Sequence, residues 1–117
     1  MLKKINRLSR KKDFETVNKQ GKVIYSPILM IKFCANDLAI SRFGIIVSNK
    51  VSKKATLRNL IKRQLREILR LSLAEIKKGI DLVIIVSPKI INQQGKVINY
   101  AEIEKSLKAA LQKAKLL

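Results

Sequence analysis

Hydrophobic residues recur at two different periods along this chain, and each change of period marks a new element. Over residues 9–20 apolar positions are sparse, with Phe14 and Val17 forming an edge three residues apart. That pattern predicts a short helix with Ser9 as its N-cap and Gly21 as its stop. Residues 22–34 are rich in Ile and predict a strand, which Pro27 restricts to a sheet edge or a bulge. Asn36-Asp37 predicts a turn. Residues 40–48, ISRFGIIVS, predict a second strand in which Phe43, Ile45 and Val47 share one face.

A polar, basic connection over 49–55 leads into a helix predicted from Thr56, as N-cap, to about Leu73, and Lys78-Gly79 closes the helical region. Residues 80–87, IDLVIIVS, are a near-continuous apolar run before Pro88. A strand buried on both faces reads this way, often as one of a parallel pair. Residues 89–99 read as irregular, and residues 100–115 as a last helix with Ile103, Leu107 and Leu111 on one stripe. The predicted order is αββαβα. A helix joining two strands of one sheet is a crossover, which implies an α/β or α+β sandwich, and general chirality favours a right-handed one. No repeat, low-complexity tract or linker divides the chain, so residues 1–117 read as a single domain.

Composition adds a partner to this outline. Hydrophobic residues make up 47% of the chain, enough for one modest core, and aromatics only 4%, so Ile, Leu and Val must build it. Lys and Arg number 26 against 8 Asp and Glu, a net charge of +18. A compact domain meets that imbalance as self-repulsion unless a polyanion relieves it. Nucleic acid fits better than an acidic protein or an anionic membrane surface. Cys34 is the one cysteine and sits in an apolar run, where it reads as a small core hydrophobe. The opening MLKKINRLSRKKDF is basic but lacks the apolar stretch of a signal peptide, and it runs without a break into patterned sequence, unlike a transit peptide. The longest apolar runs are too short to span a bilayer. The expectation is a cytoplasmic protein with no membrane partner.

The densest signal is residues 48–70, SNKVSKKATLRNLIKRQLREILR, with no acidic residue from Asn49 through Arg66. At about 100° per residue, Arg58, Lys62, Arg66 and Arg70 form a ladder of i, i+4 steps, with Asn59 and Arg63 on the same side. Leu57, Ile61, Leu65 and Ile68 gather opposite. Solvated helix faces usually mix signs, because like charges at i, i+4 repel. An unmixed ladder points to phosphate contacts, which the arginine fork grips bidentately. Asn59 among these cations offers a donor and an acceptor to a base edge or a 2′-hydroxyl.

Catalytic groupings are missing. There is no His, hence no Ser-His or Cys-His pair and no His-based metal site. Asp13/Glu15 and Glu102/Glu104 are spaced i, i+2, which points helical carboxylates apart. No Gly-rich phosphate loop occurs. Neither catalytic nor metal-ligating residues are therefore assigned, and any hydrolysis must be performed by something else.

Arg58-Asn59, Lys62-Arg63 and Arg66, preceded by SNKVSKKAT, resemble the signature of the bacterial ribonuclease P protein component, roughly S-K-K-x-x-x-A-x-x-R-N-R-x-K-R-x-x-R. NRLSRKKDFETV and the small Gly21 resemble that family's opening, and the resemblance runs through nearly the whole chain in matching order. It implies a two-layer α-β sandwich of α+β class, similar to a ribosomal-protein domain, with an unusual left-handed βαβ crossover in place of the right-handed one. It implies a ribonucleoprotein, one protein for each RNA subunit, that removes the 5′ leader of precursor tRNA. In that enzyme the RNA subunit performs the chemistry with Mg2+, held mainly by RNA. By the same resemblance Lys50, Lys53, Lys54, Arg58, Asn59, Lys62, Arg63 and Arg66 would face the RNA subunit. Phe14, Asn18, Lys32, Arg7, Lys11 and Lys12 would form or flank a cleft for the single-stranded leader.

Phe14 could stack on a base there or simply anchor the first helix. The chain departs from the family pattern at four places. Leu60 replaces the second arginine of R-N-R, Asn49 a usual lysine, and Asn18 and Lys32 aromatics of the cleft. Leader binding here is therefore expected to lean on phosphate contacts more than on stacking. A ribosomal or ribosome-assembly protein would share the size, charge and fold class, and a DNA-binding module would share the basic helix. The paired motifs discriminate against the former, and the absence of a helix-turn-helix or dimer-forming pattern against the latter.

Overall fold

Seven consecutive residues, Ile80–Val86, are buried on both faces save for a half-buried Ile85, and a strand of that kind belongs inside a sheet. In the computed structural model, which describes residues 2–117, that strand is indeed interior. The elements in chain order are α1 (Lys11–Gln20), β1 (Lys22–Tyr25), β2 (Leu29–Ala35), β3 (Arg42–Ile46), α2 (Ala55–Ser72), β4 (Ile80–Val86) and α3 (Tyr100–Lys113). Short 3-10 turns occupy Lys4–Asn6 and Pro88–Ile90. The sheet order is β1-β2-β4-β3. β2 pairs antiparallel with β1 and β4, whereas β3 runs parallel to β4, with Phe43 opposite Leu82 and Ile45 opposite Ile84. The β3-α2-β4 unit is the expected crossover.

The α+β class and the sandwich are as expected, with one more strand than predicted. Pro27 does not sit at the edge of one long strand. It lies at the tip of a hairpin, where Ser26 N–H donates to Leu29 O at 2.9 Å and splits residues 22–34 into β1 and β2. Pro27 has no N–H to give a ladder, so the chain turns there. The order is thus αβββαβα.

The period of two along β4 divides the packing. Leu82, Ile84 and Val86 face α2 and α3 and join the main core with Ile61, Leu65, Ile68, Leu69, Ile103, Leu107 and Leu111. Val83 faces the other way, into a small cluster with Leu8 and Val17 that Phe14, Cys34 and Ile85 flank. α1 therefore lies on the second face and adds a thin, partial third layer to the two expected.

Several end signals behave differently from their sequence reading. Ser9 does not cap α1 and Thr56 does not cap α2. The N-cap positions are Arg10 and Lys54, neither with a side-chain hydrogen bond. Ser52 instead accepts from Lys54 N–H at 3.1 Å and turns the chain into α2, leaving Thr56 exposed within the first turn. Gly21 ends α1 in an extended conformation, with φ −74°. Its missing Cβ matters for space, because a Cβ there would stand 2.4 Å from Val17 O and 3.2 Å from the backbone of Phe33. Asn36-Asp37 forms the predicted turn, with Leu38 N–H donating to Asn36 Oδ1 at 2.8 Å and Asp37 at φ 60°.

Candidate nucleic-acid interface

The first candidate surface is built by α2. Its buried residues, Ile61, Leu65, Ile68, Leu69 and Ser72, recur at three- and four-residue steps and dock the helix on the sheet. Geometry then turns Asn59 and Arg63 outward, exposed, while Lys62 and Arg66 are half-buried. Their aliphatic stems can lie along the helix with the charged heads in solvent. The exposed Lys50, Lys53 and Lys54 extend the basic surface into the preceding loop. Arg58 is tied back to that loop, its Nη1 donating to Ser52 O at 2.9 Å, so loop and helix present their cations as one unit.

The ladder has an end. Arg70, its fourth step, is bonded in bidentate fashion by Glu67, which raises the arginine's pKa and lowers the carboxylate's. The stretch without a carboxylate partner runs from Arg58 to Arg66, about 12 Å along the axis. Leu60 is half-buried and lies beside Leu57, Gln64 and Val97, at the margin of the apolar side. It packs where the family pattern would place a cation.

The second candidate surface is a cleft of about 340 Å³ between α1 and the open face of the sheet. Lys11, Phe14, Glu15, Val17 and Asn18 line it from α1, Lys32 from β2, Ile46 from β3, and Val83 and Ile85 from β4. Its floor is apolar and its rim is polar. Lys32 Nζ donates to Asn18 Oδ1 at 2.5 Å, closing one end from strand to helix. Four of the expected cleft residues, Lys11, Phe14, Asn18 and Lys32, thus come together. Arg7 and Lys12 do not line it. Arg7 is half-buried with its Nε donating to Leu2 O at 3.0 Å, and Lys12 is exposed on α1. Both belong to the positive surroundings of the cleft rather than to its wall.

Sequence reasoning missed what holds α1 over the sheet. Arg42 donates to buried Asp81 from Nε (2.9 Å) and Nη2 (2.6 Å) and reaches Asp13 on α1 from Nη1 (3.3 Å). Asn36 completes the cluster by donating to Asp81 Oδ1 at 2.9 Å. Hydrogen bonding to Asp81 raises the Arg42 pKa further above its ordinary value. The signal that could have found this is Arg42 in period-two register with Gly44 and Ile46, a cation on a strand face otherwise reserved for packing.

No group of three or more His, Cys, Asp or Glu could hold a metal among the described residues. Glu15 is the one carboxylate among the residues that line the cleft, and Asp13 and Asp81 face the Arg42 guanidinium. No described helix is long and apolar enough to cross a membrane.

Residues 2–115 match the Ribonuclease P family. A ribonuclease P protein component of Synechocystis sp. is 43% identical over 114 residues, covering 97% of this chain and 88% of that protein. Another from Thermotoga petrophila is 40% identical over 101 residues, 86% of each chain. Among solved structures, a Staphylococcus aureus RNase P protein mutant with defective mRNA degradation activity superposes with a TM-score of 0.86 at 28% identity, covering 97% of this chain and 92% of that one. The RNase P protein from Thermotoga maritima superposes with a TM-score of 0.82 at 33% identity, covering 92% and 96%. These likenesses favour the resemblance noted in the sequence over a ribosomal protein or a DNA-binding module.

Proposed function

The chain belongs to the ribonuclease P protein family, with a ribonuclease P RNA as its partner in the holoenzyme, and from that premise we propose that its two surfaces bind two different RNAs. The basic face of α2 and its loop bind the RNA subunit, one protein to each RNA. The cleft under α1 holds the single-stranded 5′ leader of precursor tRNA. One observation carries this division: α2 packs on one face of the sheet, and the cleft opens on the other.

The cleft suits a single strand in chemical terms. Phe14 offers a ring over which a base can stack, and Lys11 and Lys32 offer charge to its phosphates. With Asn18 and Lys32 in place of aromatics, phosphate attraction carries more of the binding than stacking does. The protein contributes binding and orientation. Among the described residues no cluster of carboxylates fits a Mg2+ site; Mg2+ belongs with the RNA, and the holoenzyme works in the cytoplasm.

Reconstitution tests this reading. The protein, a ribonuclease P RNA and a precursor tRNA are combined at low magnesium, and cleavage at the mature 5′ end should require both protein and RNA. Tight RNA binding without stimulation of cleavage, with a cognate RNA subunit included, would overturn it.

A further inference from the structure

β3 turns three side-chain positions toward α1, at Arg42, Gly44 and Ile46, and each meets a different part of that helix. Arg42 pairs with Asp13 in the first turn, each about a quarter exposed. At Gly44 a Cβ would stand 2.5 Å from Cε1 and Cζ of Phe14 and 3.3 Å from Cβ of Leu8. The Phe14 ring therefore lies directly on the Gly44 backbone. Ile46 lines the cleft beside that ring. Consecutive residues of α1, Asp13 and Phe14, are thus held by alternate residues of a single strand. A partly exposed ion pair at 3.3 Å contributes little to stability, and a buried glycine in a strand interior weakens the strand. Their shared effect is on where the ring sits.

We propose that Gly44 and the Asp13–Arg42 pair are positioning residues, which set the Phe14 ring in the cleft and through it the preference for leader-bearing RNA. The inference rests on the reading of the cleft as the leader site. A methyl group at position 44 meets the ring at a distance no carbon pair tolerates. The ring is the movable end of a side chain, so it is displaced from its seat while the strand pairing survives.

A double-mutant cycle in the reconstituted holoenzyme tests this. The readout is the ratio of Kd for mature tRNA to Kd for precursor tRNA, measured beside the affinity for the RNA subunit. Phe14→Leu and Gly44→Ala should each lower the ratio about fivefold, and the double variant no further than the worse single one. Asp13→Asn leaves the buried Arg42–Asp81 pair intact and should lower the ratio about twofold, again only when Phe14 is present. RNA-subunit affinity should not move in any of these. If Phe14→Leu lowers the ratio and neither Gly44→Ala nor Asp13→Asn does, the positioning role is overturned and the cleft reading stands. Effects that multiply in the double variants overturn it as well, since Gly44 and Asp13 would then act independently of the ring. A ratio unmoved by Phe14→Leu overturns this inference, and the cleft reading falls with it if Lys32→Met also leaves the ratio unmoved. Should Gly44→Ala fail to fold, the Asp13→Asn cycle alone decides.

Discussion

The two faces of the sheet are packed to different depths. Toward α2 and α3, Ile31, Leu82 and Ile84 meet Ile61, Leu65, Leu69, Ile103 and Leu107, and none of these side chains retains solvent exposure. Toward α1, Val17 is the one buried residue of a ten-residue helix. On that same side Tyr25 and Ile46 remain 73% and 42% exposed. The comparison teaches a division of labour. One filled face suffices to hold a four-stranded sheet together, which leaves the other free to carry a groove whose walls are only loosely attached. Binding surfaces are drawn from the less stable part of a molecule for this reason.

Mutations on the two faces should separate accordingly. Leu65→Ala, on the filled face, should cost about 2–5 kcal/mol in urea unfolding. Val17→Ala, under α1, should cost about 2 kcal/mol or less from its lost apolar area. Equal losses would break the comparison. Replacing Arg58 and Arg63 together with Ala should weaken binding of the RNA subunit and reduce its salt slope by about two units, one for each phosphate contact. Stability and leader preference should hardly change, and a fall in leader preference would merge the two surfaces into one. Lys32→Met should act in the opposite sense, reducing the salt slope of leader-dependent affinity by about 0.7 and sparing the RNA subunit.

The smallest effect concerns Cys34. Burial, and then the nearby Asp81 carboxylate, push its thiol above the ordinary cysteine range. Above about pH 8.5 the unfolded chain loses that proton while the folded one keeps it. The thiol's contribution is therefore complete below the unfolded pKa, and stability falls as pH rises through this window. Cys34→Ser should remove that component from the difference between neutral and alkaline unfolding curves. A pH dependence identical to that of the parent chain would place Cys34 outside the packed part of the thin face.

The filled face was legible in the sequence, because its information is local. The apolar run of β4 and the stripes at Ile61, Leu65, Ile68 and at Ile103, Leu107, Leu111 are periodic signals contained within single elements. The basic ladder was legible for the same reason. The thin face was not, since what builds it is distant in the chain. Asp13, Arg42 and Asp81 meet across separations of 29 and 39 residues, and nothing in the local pattern of any one announces the others. Gly44 reads in sequence as a weak point in a strand, and only the ring lying over it gives the absence of a side chain a purpose. The helix starts were misplaced because a cap is a matter of side-chain geometry rather than residue type. Ser52, two residues ahead of the N-cap, accepts from Lys54 N–H and shapes the turn into the helix, and no side chain caps the first-turn amides.

The unpaired cationic stretch of α2 also bears on how long the protein survives. A face of like charges opposes the folded chain until phosphates neutralise it, so a polyanion that binds only the folded form raises stability in proportion to the logarithm of its free concentration. Copies left without an RNA partner spend more time unfolded and are exposed longer to proteases. Occupancy of this face by RNA and the stability of the fold are therefore one linked quantity.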